Sequence, residues 1–245
     1  MQVAQVFMHN ALRNFNYIIY SDKSKDAIFV DPLDVDRTLK IAKQLKLNAK
    51  YLINTHQHHD HIHDNEKFLK LTGATHIKLQ HGEKFKLSEV EVLEAIDTPG
   101  HVMNHQCFLL VDNNIPTGLI TGDALFNAGV GNCKNGGDVN VHFNTIFNIV
   151  RNLPEQVKIY PSHDYLLNNL EFALTIEPKN ESIKNLIEKR KKQDLDNQFI
   201  QTDLGLEKKI NPFLRLNAKT IVEKFSDLNT EKERFIAIRK LRDNW

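Results

Sequence analysis

The chain of 245 residues is predicted to be an α/β protein, in which a mixed β-sheet is covered by helices. The first observation is that short β-rich runs alternate with helical patterns from residue 3 to about residue 160. The second is that several β-rich runs follow one another as hairpin-like pairs, so the sheet is not purely parallel. The third is a change after His163, where helical patterns continue without strands. Strands mixed with covering helices in this way favour the α/β class.

The individual elements follow from periodicity and from their end signals. The predicted strands are 3–8, 15–20, 27–31, 50–54, 90–96, 106–112 and 115–121. The predicted helices lie near 34–46, 63–72, 139–151, 166–174, 181–199 and 230–244. Asp34 is a candidate N-cap for the first helix, because its side chain can accept a hydrogen bond from a free backbone N–H. We predict two domains, residues 1–165 and residues 166–245.

Composition restricts the partners and the setting. With 32 basic and 31 acidic residues the chain is nearly neutral, which gives no reason to expect nucleic acid or a membrane surface as a partner. No apolar run approaches the roughly 20 residues that cross a bilayer. The two cysteines, Cys107 and Cys133, cannot form a disulfide framework, and no signal peptide is evident at residues 1–9. We therefore expect a monomeric, cytoplasmic enzyme that acts on a small molecule.

The most informative motif is His-x-His-x-Asp-His at residues 56–61. It comes directly after the apolar run Tyr51–Asn54, which reads as a buried strand that ends at the motif. Imidazole and carboxylate groups are the ligands that zinc, iron and manganese use in proteins. A solvated, histidine-rich loop is the alternative interpretation. The motif alone therefore predicts a metal site but does not identify the metal.

Three further strands end in a residue of the same kind. His101 follows the alternating run 90–96 and a Pro-Gly turn, Asp123 follows the apolar run 119–122, and His163 follows the run 157–161. A single histidine or aspartate at a strand end is more often a turn residue. Because α/β sheets bind ligands beyond the carboxyl ends of their strands, four such ends together predict one convergent site.

The order of these motifs resembles the metallo-β-lactamase superfamily, and more closely the glyoxalase II type, the hydroxyacylglutathione hydrolases. The resemblance rests on Thr-His-Gln-His-His-Asp-His at 55–61, Thr-Pro-Gly-His at 98–101 and Thr-Gly-Asp-Ala-Leu-Phe at 121–126. It continues through the segment 162–173, Glu-Pro-Lys-Asn at 177–180 and Asn-Pro-Phe-Leu-Arg at 211–215, and so covers nearly the whole chain. It implies an αββα sandwich followed by a smaller C-terminal α-helical domain.

The resemblance also implies two divalent metal ions, with zinc expected and iron or manganese as alternatives. His56, His58 and His101 would hold the first ion, and Asp60, His61 and His163 the second. Asp123 would bridge both ions. Asp60 and Asp123 would be the two catalytic carboxylates. A hydroxide shared by the ions would attack a thioester, S-lactoylglutathione, and give D-lactate and glutathione. Two cations about 3.5–4 Å apart need such shared ligands.

The resemblance is less complete for the residues that would bind the thiol half of the substrate. Lys134, Tyr165, Arg215 and Lys219 match or lie near the substrate contacts of the family. In the loop 129–137 of this chain, however, Asn132 stands at the expected basic position and Lys134 at the aromatic one. A solvated loop position for Lys134, and pairing of Arg215 with a neighbouring acid, are the structural alternatives. Another acyl-thiol therefore stays open as the substrate.

Other functions stay open as alternatives. A persulfide dioxygenase of the same superfamily would use one iron on His56, His101 and Asp123, but its members lack the helical tail 165–245. A superfamily nuclease would show a basic surface. A metal-binding module without activity is disfavoured because the seven-ligand set is complete. We also expect Asn54, Thr55 and His105 to orient metal ligands, with ordinary turn and strand-end packing as the alternative. Five further histidines are predicted to lie on the surface: His59, His63, His76, His81 and His142.

Overall fold

The computed structural model describes residues 1–245. Two β-sheets face each other, and helices cover both outer faces. The first sheet has the order β1-β2-β3-β4-β5, and its strands are Gln2–Phe7, Phe15–Ser21, Ser24–Val30, Asn48–Ile53 and Thr75–His76. β1 to β3 form an antiparallel meander, and β4 joins β3 in parallel through a helical crossover.

The second sheet has six strands in the order β13-β12-β9-β8-β7-β6. Its strands are β6 Lys84–Lys86, β7 Glu91–Asp97, β8 Gln106–Asp112, β9 Ile115–Gly122, β12 Lys158–Pro161 and β13 Thr202–Asp203. β7, β8 and β9 are antiparallel neighbours, whereas β12 lies parallel to β9. A short separate hairpin consists of β10 Leu125–Phe126 and β11 Gly129–Val130.

The helices fall into two groups. Those in the sandwich are α1 Val35–Gln44, α2 His59–Ile62, α3 Asn65–Thr72 and α4 Val139–Asn148. Those that follow the last long strand are α5 Leu166–Ile176, α6 Glu181–Lys191, α7 Leu204–Ile210, α8 Lys219–Lys224 and α9 Glu231–Asp243. None of these helices is both long enough and apolar enough to cross a bilayer.

Strand alternation divides the core into layers, because successive side chains point to opposite faces of a sheet. Phe108, Leu110 and Ile120 pack between the two sheets. Cys107 and Leu109, their neighbours on the same strand, point outward into a cluster of 21 buried residues under the helices. That outer cluster includes residues of α9, so the C-terminal helices share a core with the second sheet.

The seven predicted strands and the αββα sandwich are confirmed, and Asp34 caps α1 through a bond from the Arg37 amide. The helix predicted over 181–199 is too long. It ends at Lys191, because the Asp194 side chain accepts hydrogen bonds from residues 196 and 197 and closes a turn there. The short helices α2, α7 and α8 were not predicted. The boundary between residues 165 and 166 stays a prediction.

Candidate metal centre and substrate groove

The predicted ligands converge at one end of the sandwich, where four strands end. β4 is followed by the motif 56–61, β7 by His101, β9 by Asp123 and β12 by His163. The short helix α2 turns Asp60 and His61 into the same site as the strand-end residues. Their ligand atoms form overlapping groups of three, each within 4.8 Å, from His56, His58, Asp60, His61, His101, Asp123 and His163.

The first trio consists of His56, His58 and His101. The Nδ1 atom of His58 lies 3.0 Å from His56 Nε2 and 3.0 Å from His101 Nε2, so three ring nitrogens point at one spot. His101 Nδ1 donates to the Asn132 carbonyl at 2.6 Å, and His58 Nε2 donates to the Asn135 carbonyl at 3.2 Å. Because a carbonyl can only accept, these bonds leave the converging nitrogens unprotonated and free to bind a cation.

The second trio consists of Asp60, His61 and His163. The Nε2 atoms of His61 and His163 lie 3.4 and 3.5 Å from the same oxygen, Asp60 Oδ2. His61 Nδ1 donates to Asp31 Oδ2 at 2.9 Å, and His163 Nδ1 donates to the Leu12 carbonyl at 2.8 Å. Both rings are therefore fixed with Nε2 towards the site, whereas His58 of the first trio presents Nδ1.

Asp123 lies between the two trios and presents one oxygen to each. Its Oδ1 is 3.3 Å from His163 Nε2 and 3.6 Å from His61 Nε2, while its Oδ2 is 3.5 Å from His101 Nε2. His61 Nε2 and Asp123 Oδ1 are buried and have no hydrogen-bond partner. Buried polar atoms without partners are costly, so this pair indicates a group that the site is built to hold.

The electrostatics of the site suit cations. Burial lowers the pKa of the His56 imidazole to about 3, which keeps this ring neutral, as a metal ligand must be. Burial would raise the pKa of Asp123, but the nearby His163 and His61 rings outweigh it and hold that pKa well below the usual range. Asp123 is therefore a carboxylate even though it is buried. Two nitrogen- and oxygen-rich trios with a shared carboxylate fit two divalent metal ions.

A groove of about 210 Å³ begins beside the second trio. Its inner end is aromatic: Tyr165 stacks on His163 with ring centroids 4.9 Å apart, and Phe126 meets both rings edge-on. Its walls are the β10–β11 hairpin, the segment after that hairpin and helix α9. The segment after the hairpin contains Asn132, whose carbonyl fixes His101, so groove and metal centre share one piece of backbone.

Two arginines of α9 line the groove. Arg239 is largely buried and is neutralised by Asp243, with Nη2 and Oδ1 2.8 Å apart. Arg242 donates to the side-chain oxygens of Asn168 and Asn169, and no carboxylate lies within 4.0 Å of it. Burial and the neighbouring Arg239 guanidinium lower the pKa of Arg242. A half-buried guanidinium without an acid partner is a ready site for the carboxylate of a ligand.

Lys134 lies at the mouth of the groove. Its ammonium donates to the Asp243 carbonyl at 3.1 Å, while most of the side chain is exposed. Lys134, Arg239 and Asp243 also line an adjoining cavity of about 580 Å³, to which Lys240 adds a further positive charge. The groove and the cavity together are positively charged, although the chain as a whole is nearly neutral.

Arg215 and Lys219 lie elsewhere, which corrects the placement predicted from the sequence. Arg215 forms a two-pronged pair with the Glu177 carboxylate, at 2.7 and 3.0 Å, and also donates to a backbone carbonyl. Lys219 is 88% exposed and faces Glu223. Neither residue lines the groove. The alternative weighed for Arg215, pairing with a neighbouring acid, is what the structure shows.

Residues around the ligands behave largely as predicted. Thr55 donates to Asp31 and contacts His56 Nδ1, and Asn54 donates to the His61 carbonyl. His105 Nε2 accepts the amide of Asp123. Asp31, which holds His61, was missed, although its position at the end of the predicted strand 27–31 is the same signal that identified Asp123.

Four of the five histidines predicted to lie on the surface are exposed: His59, His63, His76 and His81. The prediction for His142 is wrong, because this ring is fully buried. It lies on the inner face of α4, where Nε2 donates to the Ala124 carbonyl at 2.8 Å. The missed signal was the helical position of His142, which places it beside buried Phe143 and Thr145 on the face of α4 that packs on the sheet.

The two facing sheets and the seven-ligand site at their strand ends define a protein of the metallo-β-lactamase superfamily, whose family model matches residues 14–99. A second model, described as the hydroxyacylglutathione hydrolase C-terminus, matches residues 164–245. The hydroxyacylglutathione hydrolases of Nitrosococcus oceani and a Polaromonas species are 38% and 37% identical over the full length of both chains. The chain belongs to the hydroxyacylglutathione hydrolase family.

A comparison of solved structures agrees at the level of the fold. ETHE1 from Myxococcus xanthus superposes with a TM-score of 0.70 at 22% identity. The superposition covers 98% of this chain and 90% of the ETHE1 chain. At that identity the likeness shows the shared fold alone. The resemblance predicted from the motifs is therefore confirmed for the family, by the relatives that match over the full length.

Proposed function

We propose that this protein hydrolyses thioesters of glutathione with 2-hydroxy acids, with S-lactoylglutathione cleaved to D-lactate and glutathione. One observation carries the proposal: a centre for two cations, bridged by Asp123, adjoins a positively charged groove. The centre supplies what hydrolysis needs, and the groove fits an anionic thiol. The full-length relatives named hydroxyacylglutathione hydrolase support the same activity.

The cations would be held by the seven ligands in their two trios, and zinc, iron and manganese all suit this donor set. When bound, they lower the pKa of a coordinated water to about 7 and polarise a carbonyl, which makes a separate general base unnecessary. Zinc is the expected metal, because nitrogen-rich sites with neutral imidazoles bind it well. Metal content after refolding in each of the three metals tests this; less than one equivalent in all of them contradicts it.

The chain's own residues position the reaction. Asp60 and Asp123 fix the ligand geometry, and the carbonyls that hold His58, His101 and His163 keep each ring in the required tautomer. During hydrolysis, water adds to the acyl carbon, the carbon–sulfur bond breaks, and the thiolate takes up a proton. A thiol is a good leaving group.

The thiol half is proposed to lie along the groove. Tyr165 and Phe126 would flank the sulfur end beside the second trio. Arg242 would bind a carboxylate of glutathione, and Lys134 would add charge at the mouth. We therefore transfer to Arg242 the role that the resemblance had suggested for Arg215 and Lys219. Asn132 contributes to the metal centre through its backbone carbonyl, which accepts the hydrogen bond from His101 Nδ1.

The deciding experiment compares the cleavage of D-lactoyl esters of glutathione, coenzyme A and a small uncharged thiol. We expect kcat/KM to be at least about tenfold higher for glutathione, because two or more charge-assisted contacts are lost with the small thiol. A smaller preference for glutathione would mean that another acyl-thiol is the substrate. In a parallel assay, oxygen uptake with glutathione persulfide in place of thioester cleavage would make the protein a persulfide dioxygenase.

The oligomeric state and the cellular compartment are also part of the proposal. We propose a monomer that works in the cytoplasm, in keeping with the near-neutral composition and with helices that are unable to cross a bilayer. Elution at about twice the monomer mass in size-exclusion chromatography would contradict the first statement. Recovery of the protein from a compartment other than the cytoplasm would contradict the second.

A further inference from the structure

The loop between β1 and β2, residues 8–14, lies directly against the second trio. It runs antiparallel to the segment 162–164: the Phe15 amide donates to the Ser162 carbonyl at 2.7 Å, and the Asp164 amide donates to the Arg13 carbonyl at 3.0 Å. The Leu12 carbonyl of this loop accepts the bond from His163 Nδ1. The loop therefore fixes one ligand of the second trio from behind.

Asn14 of the same loop fixes a second ligand. Its Nδ2 donates to Asp60 Oδ2 at 3.0 Å, the oxygen that faces both His61 and His163. Asn10 determines which way the Asn14 amide points: Asn10 Oδ1 accepts the Asn14 backbone amide, so Asn10 Nδ2 donates to Asn14 Oδ1 at 2.8 Å. Only the Asn14 amino group is then left for Asp60. Asn14 is 2% exposed, so water does not replace this contact.

The loop is held in turn by the segment that follows α6. Arg13 and the fully buried Arg190 both donate to Asp164 Oδ2, at 2.8 and 2.9 Å, and both donate to the Leu195 carbonyl. Arg13 also pairs with Asp196 at 2.8 Å. We call Arg13, Asp164 and Arg190 the arginine clasp. Asp164 directly follows His163, so the clasp joins the C-terminal helices to the second trio.

We propose that Asn14 is a positioning residue for the second metal, and that the arginine clasp holds its loop in place. The first trio has no contact of this kind, since its rings are fixed by carbonyls of the segment 132–135 and by Thr55. The affinities of the two metals should therefore respond differently to changes in the loop. This inference rests on the proposed two-metal centre.

The test is a zinc titration of the apoprotein against a chelator of known affinity, which gives a dissociation constant for each equivalent. In Asn14→Leu the second equivalent should bind about 10- to 100-fold more weakly, the usual cost of losing a partner that orients a metal ligand. The first equivalent should bind as in the unchanged protein. Asn10→Ala, at a partly exposed position, and Arg13→Met should shift the second affinity in the same direction but less.

The matched control is Asn16→Leu. Asn16 lies two residues after Asn14 and is also buried, but its Oδ1 has no hydrogen-bond partner. It should leave both affinities unchanged. If both affinities fall together in Asn14→Leu, or neither changes in any of the three loop variants, the inference is overturned. If the unchanged protein binds fewer than two equivalents, the proposed centre fails instead, so the two failures are distinguishable. Asn10→Ala keeps the test decisive if Asn14→Leu does not fold.

Discussion

The metal centre and the substrate groove lie side by side but are built in different ways. The centre takes each ligand from the end of a strand, or from the turn or the short helix α2 that follows it. The groove is assembled mainly from a hairpin, the segment that directly follows it, and the last helix, whose groove residues lie more than a hundred positions further along the chain. The hairpin and the segment after it, residues 125–132, belong to both.

The comparison teaches how far each region can be changed. In the centre, Asp123 serves two trios, and its loss cannot be repaired by a neighbour. In the groove, positive charge is spread over Lys134, Arg239, Lys240 and Arg242, so a single loss weakens binding without abolishing it. Changes in the centre should therefore remove turnover, whereas changes in the groove should alter the affinity for substrate.

The largest effect is expected from Asp123→Ala. The variant loses the bridging carboxylate, so kcat/KM should fall by at least roughly 10²- to 10³-fold, the cost of losing even one well-placed catalytic donor. Metal content should fall below two equivalents, as measured by atomic absorption. Asp97→Ala, an exposed carboxylate at the end of β7, is the control and should keep full activity. Full activity in Asp123→Ala would remove Asp123 from the mechanism.

The next effect distinguishes the groove from the Arg215–Glu177 ion pair, whose arginine the resemblance had suggested as a substrate contact. Arg242→Gln should raise KM for the glutathione thioester about 10- to 100-fold, the value of a charge-assisted hydrogen bond, with kcat nearly unchanged. Arg215→Gln breaks the pair with Glu177 and should lower the free energy of unfolding while KM stays the same. Steady-state kinetics and chemical denaturation of both variants give the answer, and the opposite pattern would restore Arg215 as the substrate contact.

The shared hairpin predicts a pH effect. Glu207 of α7 is fully buried and accepts the amide of Ala128, a residue with a left-handed backbone at φ 57°. Burial raises the pKa of Glu207 from 4.5 to about 7. Between these values the folded protein binds more protons than the unfolded one, so this residue lowers the free energy of unfolding as pH rises, by up to about 3 kcal/mol.

Glu207→Gln tests that effect. The difference in unfolding free energy between variant and parent, measured by urea denaturation from pH 5 to pH 8.5, should change across the interval below pH 7 and level off above it. Because other titrating groups are common to both proteins, they cancel in the difference. A difference that is constant with pH would mean that Glu207 is ionised throughout.

The smallest effect is expected from Lys134→Gln. The ammonium is largely exposed and is tied to the end of α9, so its contribution to binding is mainly electrostatic. KM should rise only severalfold, and the rise should shrink as salt screens the charge over roughly 8–10 Å. Kinetics at low and at moderate ionic strength measure this. A large loss that salt does not reduce would instead make Lys134 a direct contact.

The same contrast explains what the sequence could predict. The seven longer strands and all seven members of the metal cluster were predicted, because strand and ligand signals are local. The αββα sandwich was implied by the family resemblance. Of the groove, Lys134 and Tyr165 were named as substrate contacts from the sequence. The arginines of α9 were not, because nothing local indicates that Arg242 lacks an acid partner while Arg215 has one. That difference depends on where Glu177 and Asp243 lie in the folded chain. Buried His142 was missed for a similar reason, since burial depends on which face of α4 meets the sheet.

The cluster of buried side chains beneath the second sheet has a consequence for synthesis of the protein. Phe235 and Ile238 of α9 pack there with Leu109 and Leu119 of the sheet. On the ribosome, the part of this outer face that α9 covers therefore stays open after α4 and α5 have been made. A nascent chain that stops before α9 leaves that apolar face open to self-association. Synthesis of α9 thus completes this part of the core and the groove together.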